Sequence, residues 1–496
     1  MSITPHLPAL QVAVPLLSAP LIVLLRPRGL AWAAAVAASL MTFAVALALL
    51  IGVQDGVNFS YAMGSWAAPY GIELNVDAFS ALLLLIISTA SSMALLGGYR
   101  SLDAQIEQER QPLFYSAWLL ALAGLIGIVV TADAFNIFVF MEISSLASDI
   151  VTSGGRDRRA LPAVFKYLVM GTICATFYLI GVGLIYMMTG TLNLADMEVR
   201  IKEVSDLSPI LLAAGFITIG VALKAAVFPL HLWLPNAYTY APNMVTVFLA
   251  ACATKVALYV LIRFDFLIFQ GNLVGHEIQF ASFLMPLAVL AILVASGMTL
   301  VQRNLKRMLA YSSVAQIGYI ILGVSLISTA GLTASLLHMF NHALAKGALF
   351  LTVSCLAMRV ASLKFDDLAG CARSMPWTMA AFLVAGLSII GVPGTAGFIS
   401  KWYLITAVFD KGALGIALVA VIVISSLMAV AYIWRIVEIA YFQAPKDGQA
   451  IVREAPLELL VVTWCAVLAN VYFGLSSELP LSLSTSAADQ LLRHLP

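Results

Sequence analysis

Residues 221–263 read VALKAAVFPLHLWLPNAYTYAPNMVTVFLAACATKVALYVLIR. The stretch is apolar enough to lie in a bilayer, yet each of its two apolar runs carries a lysine, Lys224 in one and Lys255 in the other. Pro229, Pro235 and Pro242 sit between them. A proline removes a backbone donor and clashes with the preceding turn, so a helix here must bend or break. In lipid, irregular backbone is tolerated only where protein or a water-filled cavity satisfies it. A lysine at mid-membrane depth costs about 2.5 kcal/mol or more. Two such lysines flanking a broken helix point to ion or proton transfer.

Composition agrees with a membrane setting. Of 496 residues, 62% are hydrophobic and only 10% charged, against roughly 25% charged in a soluble domain. The chain reads as an all-α polytopic membrane protein. A net charge of +1 gives no reason to expect nucleic acid as a partner. Cys174, Cys252, Cys355, Cys371 and Cys465 are scattered without CxxC spacing, so they read as packing residues. The N-terminus lacks a basic n-region and an A-x-A site, and its first apolar segment is expected to be retained. The longest polar stretch between helices, Arg100 to Gln111, is too small for a nucleotide or redox centre. With no GxGxxG, P-loop or cysteine cluster, no cofactor is expected.

A spanning helix needs about 20 apolar residues, and about 14 such segments can be placed. Helices 1–3 fall within 1–112, helices 4–8 within 113–262, helices 9–13 within 263–440, and helix 14 with a tail within 441–496. Segment seven, 208–230, is expected to break at Phe228-Pro229, and segment twelve, 376–408, at Gly391-Val392-Pro393-Gly394. Lys224 stands before the first break and Lys401 after the second. Two interrupted helices five segments apart are what inverted-repeat transporters show. Basic residues follow the odd-numbered helices: Arg26 and Arg28; Arg100 and Arg110; Arg156, Arg158 and Arg159; Arg303, Lys306 and Arg307; Arg359, Lys364 and Arg373; Lys446 and Arg453. They therefore share one face, which the positive-inside rule makes cytoplasmic, with both termini on the outer face.

The buried charges are the candidate site. Glu142 lies mid-way along segment five, with Ser145 and Asp149 on its helical face. It serves either as a structural ion pair or as a carboxylate whose proton affinity responds to Lys224. Asp149, nearer the helix end, reads equally as a solvated end residue. Lys255 has no charged residue within a helical turn, so water is its expected solvent. His338, His342 and Lys346 are spaced four apart and form one polar stripe. Two histidines so spaced can bind zinc, but no third ligand is evident, and a proton relay fits better than metal or packing polarity. With Lys401 these groups form a titratable row along the membrane. Arg435 and Glu438, three apart, read as an internal pair.

Taken together, GVALKAAVFPLHLWLPNAYTYAPNMVTVFLA, NLKRMLAYSSVAQIGYIILG, FNHALAKGALFL and GVPGTAGFISKWYL resemble the antiporter-like subunits of respiratory complex I and of Mrp-type multisubunit cation/proton antiporters. The likeness covers about residues 70–440. GTLNLADM, VDAFSALLLL and DAFNIFVFMEISSLAS look most like the D subunit of Mrp antiporters. The resemblance implies a 14-helix core with two inverted five-helix repeats, a Glu142–Lys224 pair, a central Lys255 and a terminal Lys401. One complex I relative carries Glu at the Lys401 position. Gln316 stands where complex I relatives often have His, and Asp149 where a Tyr is expected. No long lateral helix is expected after residue 475.

The resulting expectation is a proton-translocating subunit of a multisubunit monovalent cation/proton antiporter in a prokaryotic cell membrane, with protons, Na⁺ or K⁺, the lipid bilayer and other subunits as partners. It is a transporter component rather than an enzyme in its own right. The alternative is an ion-pumping subunit of an NADH dehydrogenase or membrane-bound hydrogenase. An independent transporter of an organic solute fits less well, because the polar residues form a titratable row rather than a pocket lining.

Overall fold

The computed structural model describes residues 4–25, 28–269, 273, 276–445 and 453–493; Arg26 and Lys446 of the basic loops lie outside them. The first helices are α1 (Leu7–Val23) and α2 (Arg28–Gln54). A hairpin of β1 (Phe59–Ala62) and β2 (Glu73–Val76) follows, antiparallel with Phe59 opposite Val76. Then come α3 (Ala78–Gln105), α4 (Gln111–Val130), α5 (Ala134–Ser153), α6 (Ala160–Thr189), the short α7 (Leu194–Ile201), α8 (Ser208–Lys224), α9 (Leu234–Tyr240) and α10 (Asn243–Arg263). The second half holds α11 (His276–Leu300), α12 (Leu305–Val324), α13 (Thr329–Ala357), α14 (Pro376–Ile390), α15 (Ala396–Phe409) and α16 (Ala413–Phe442). The chain closes with α17 (Leu457–Leu475) and α18 (Glu478–Leu492).

Twelve helices among the described residues are long and apolar enough to cross a membrane. The two interrupted segments add α8 with α9, and α14 with α15, so every segment expected from the sequence has its helix or helix pair. Helices α3, α4, α10, α12 and α13 are buried almost all round, while α1, α2, α6, α11, α16 and α17 turn most of their surface outward. Helices apolar on every side suit both positions, since lipid and core are alike apolar.

Polar caps set where these helices start. Asp77, Asp133, Asn193, Asn304 and Ser328 each accept a backbone N–H in the first turn of α3, α5, α7, α12 and α13. Such caps satisfy donors that lipid would leave orphaned.

The alternation of faces expected from charge is visible in the loop contacts. On one face, Ala132 N donates to Glu73 O at 2.9 Å and Asn193 Nδ2 to Glu73 Oε2 at 3.1 Å. Those bonds join the connections after α2, α4 and α6. On the other face, a cavity of about 1050 Å³ gathers Arg156, Arg303, Lys306, Arg307 and Lys364 from three basic loops. Arg159 grips Asp157 there through two bonds of 3.0 and 2.8 Å, and those bonds hold the Asp157 carboxyl below the usual carboxylate range.

Two sequence expectations are corrected. Segment seven stops earlier than Phe228-Pro229: α8 ends at Lys224, and Ala226 takes a positive φ of 55°. In the tail after α17, α18 packs against α3 and α13. Arg435 does not pair with Glu438. It donates to Leu300 O at 3.0 Å and Gln302 O at 3.2 Å and lies over the Phe365 ring. Glu438 three residues on faces outward.

A row of buried lysines and histidines

Lys224 is the last residue of α8, at the break. Its Nζ donates to the Ser145 hydroxyl and, at 3.2 Å, to Met141 O, both on α5. Glu142 is half-buried and makes no ion pair with it, although its charge reaches Lys224. Asp149, two turns along the same face, is buried at 8% exposure and also within electrostatic reach of Lys224. The end-residue reading of Asp149 is therefore replaced by a buried one.

The break after Lys224 is tied down by aromatic residues. Trp233 Nε1 donates to Leu223 O at 3.0 Å, satisfying a carbonyl at the open end of α8. The Trp233 ring stacks on Tyr167 of α6 at 4.5 Å. His231, in the same break, stacks on Phe228 and approaches the Tyr311 ring of α12 at 6.5 Å.

Lys255 is fully buried in α10, and its Nζ donates to Ala250 O at 2.6 Å. Its charge reaches His338, His342 and Lys346. The stripe on α13 thus faces the central lysine. Lys346 donates to the Ser312 hydroxyl and to Leu309 O at 2.8 Å, both on α12. A hydroxyl and a carbonyl one turn apart hold this lysine as Ser145 and Met141 hold Lys224.

His342 stacks on His338 at 6.1 Å with planes 8° apart, and neither of its ring nitrogens has a protein partner. His338 Nε2–H donates to Gln316 Oε1 at 3.0 Å, which leaves Nδ1 to accept from the Ser400 hydroxyl at 2.8 Å. Ser400 precedes Lys401. Lys401 Nζ donates to Ile389 O at 2.8 Å, Ile390 O at 3.0 Å and Ser426 Oγ at 3.0 Å, and lies 5.1 Å from the centre of the Tyr319 ring. It thereby covers the C-terminal carbonyls of α14, where a positive charge is favoured.

Lys255, Lys346, His342, His338 and Lys401 form one buried group within electrostatic reach of one another, while Lys224 has its seat on α5 with Glu142 nearby. Among the described residues none of these lysines pairs with a carboxylate. Each rests on carbonyls, in three cases with a hydroxyl.

Three features escaped sequence reading. Lys306, counted as a loop charge, is buried in the first turn of α12 and donates to Ala241 O at 2.7 Å and Asn243 Oδ1 at 3.2 Å. His231 was hidden among the aromatic residues of the break. Arg263, at the end of α10, pairs with Asp77 at 2.5 Å and lies over the Phe79 and Tyr259 rings. Its signal was an arginine closing an apolar run and an aspartate opening another, with nothing in sequence to link them.

Residues 131–429 match the family described as NADH:quinone oxidoreductase/Mrp antiporter, transmembrane. The chain belongs to this family. Among its relatives, the N subunit of the NADH-quinone oxidoreductase of Desulforudis audaxviator is 42% identical over 91% of this chain and 90% of its own length. The D subunit of the Na⁺/H⁺ antiporter of Alkalihalophilus pseudofirmus is 28% identical over 91% of each. Two solved family structures superpose over almost the whole chain. A component of the archaeal membrane-bound sulfane sulfur reductase gives a TM-score of 0.90 at 29% identity, covering 98% of each chain. One from the Mrp complex of Dietzia sp. DQ12-45-1b gives 0.89 at 27% identity, covering 99% of this chain and 98% of that one.

Proposed function

We propose that this family member is the proton-translocating subunit of a multisubunit monovalent cation (Na⁺)/proton antiporter in the bacterial cell membrane. The observation that carries the reading is the manner in which the lysines are held. Carbonyls and hydroxyls accept from an ammonium, and the hydroxyls can equally donate to an amine. A lysine in such a seat gains and loses a proton without leaving a carboxylate unpaired. Because Lys255 faces His338, His342 and Lys346, charge on one disfavours charge on the next. A proton arriving at one end of the row therefore promotes release at the other.

Glu142, half-buried beside the Lys224 seat, supplies the opposing charge that favours the ammonium. The termini lie on the outer face in this reading, with the basic cavity facing the cytoplasm. The test is cation-dependent proton exchange in vesicles holding the assembled complex. Lys224→Ala should reduce it about a hundredfold, the scale of a lost proton-transfer group, with assembly intact. Undiminished exchange would remove the reading.

A second reading is supported by the 42% identity to a quinone oxidoreductase component. There the same row would be driven by a redox partner rather than by a cation gradient, and the chain would be part of an enzyme. Purification separates the two. Small antiporter subunits should accompany the chain in the first case, and iron–sulfur subunits in the second.

A further inference from the structure

The polar groups around Lys224 are not all used by the row described above. Asp149 lies on α5, seven residues past Glu142, which places the two carboxylates about 10 Å apart along the helix axis. The Lys224 ammonium, seated on Ser145, falls between them. The two acids differ in setting: Glu142 is half-buried, whereas Asp149 is buried with its Oδ1 bonded to nothing in the protein. Thr152, three residues on, is also buried with a partnerless hydroxyl. A buried carboxylate oxygen without a donor is costly when charged, unless its charge is met or removed.

Tyr167 of α6 is buried beside Ser148 and lies within electrostatic reach of Asp149. The same Tyr167 stacks on Trp233, whose indole holds Leu223 O beside Lys224. The aspartate, the tyrosine and the broken end of α8 thus form one packed unit. One turn beyond Asp149, α5 ends at Ser153, and Gly155, Arg156 and Asp157 line the basic cavity. Asp149 therefore stands between Lys224 and that cavity.

We infer that Asp149 is a proton-transferring residue of this site, linking Lys224 to the basic face. This rests on the translocation reading above. In the step, an N–H bond of the Lys224 ammonium breaks and an O–H bond forms on Asp149. Two buried charges become a neutral amine and a neutral acid. Asp149 then releases the proton toward the face where α5 ends, and the amine is free to take another from the row. Glu142 and Asp149 both lie within electrostatic reach of the ammonium, and Asp149 is the one that takes its proton.

The test uses the whole complex in vesicles and in detergent. Asp149→Asn should cut exchange about a hundredfold, and Asp149→Glu should restore a measurable part of it. Infrared difference spectra taken on adding Na⁺ should show a protonated-carboxyl band in the parent protein. The band should vanish in Asp149→Asn, move in Asp149→Glu, and lose its Na⁺ response in Lys224→Met. Exchange within twofold of the parent in Asp149→Asn, or a band unmoved in Asp149→Glu, would overturn the assignment. If Asp149→Asn fails to assemble, the Asp149→Glu band alone decides. Undiminished exchange in Lys224→Ala would instead remove the translocation reading, so the two failures are told apart.

Discussion

At Lys224 the nearest acceptors are a hydroxyl and a carbonyl of α5, and the carboxylate of Glu142 stands off. That arrangement sets the outcome of a double-variant cycle. Glu142→Gln and Lys224→Met should each lose most exchange, and the double variant should not recover it. On thermal stability, the two substitutions should couple only weakly, by about 0.5 kcal/mol, because no direct contact is removed. A coupling of several kcal/mol in melting of the purified complex would mean that the acid closes onto the lysine. A second check concerns the histidines. His338 already spends one nitrogen on Gln316 and the other on Ser400. Purified protein should hold no zinc that disappears in His338→Ala. The identity of the titratable residues was legible from sequence, because charge in an apolar run is expensive wherever it occurs. Their seats were not. Met141 and Leu309 take part through backbone carbonyls, which leave no mark on residue choice. The burial of Asp149 was only one of two even readings, because distance from the helix middle is a poor guide to burial where α6 packs along α5.

Each broken segment depends on close approach at its gap. Gly391 ends α14 with φ of +91°, and a Cβ there would lie 2.9 Å from Lys401 Cδ. Gly397, in the first turn of α15, has its Cα against the last turn of α14, where a Cβ would meet Ser388 O at 1.9 Å. Gly391→Val should therefore displace the Lys401 ammonium from Ile389 and Ile390. Exchange should fall with the complex still assembled, and a fall no larger than twofold would contradict the seat. Gly397→Val should prevent assembly altogether, as judged by co-purification of partner subunits. The breaks themselves were legible through Pro229 and Pro393. The exact stop of α8 was not, because Pro229 clashes with the turn preceding it and the helix yields several residues earlier. The hairpin, α7 and α18 were also missed. All three are too short to register as a membrane span.

Across the molecule, Arg263 and Asp77 join α10 to the start of α3. Both are mostly buried, so Asp77→Asn should destabilise by about 3 kcal/mol, read as a lowered melting temperature of the purified complex; an unchanged value would show that water carries the arginine instead. The two faces can be assigned by labelling in a Cys465→Ser background. Tyr70→Cys, on the hairpin, should react with impermeant reagent from outside whole cells, and Arg158→Cys only after the membrane is opened. The reverse pattern would invert the topology. The many membrane-spanning helices, twelve among the described residues, were legible because bilayer thickness fixes helix length. The meeting of three basic loops in one cavity was not, since it depends on which helices pack together. The carbonyl-seated lysines carry one further consequence. A proton bound at mid-depth on Lys255, Lys346 or Lys401, none of which pairs with a carboxylate among the described residues, sits part-way through the membrane field. A full crossing is worth about 2.3 kcal/mol per 100 mV, so occupancy of the row must respond to voltage as well as to pH, and turnover will slow or quicken with membrane potential even when the overall exchange moves no net charge.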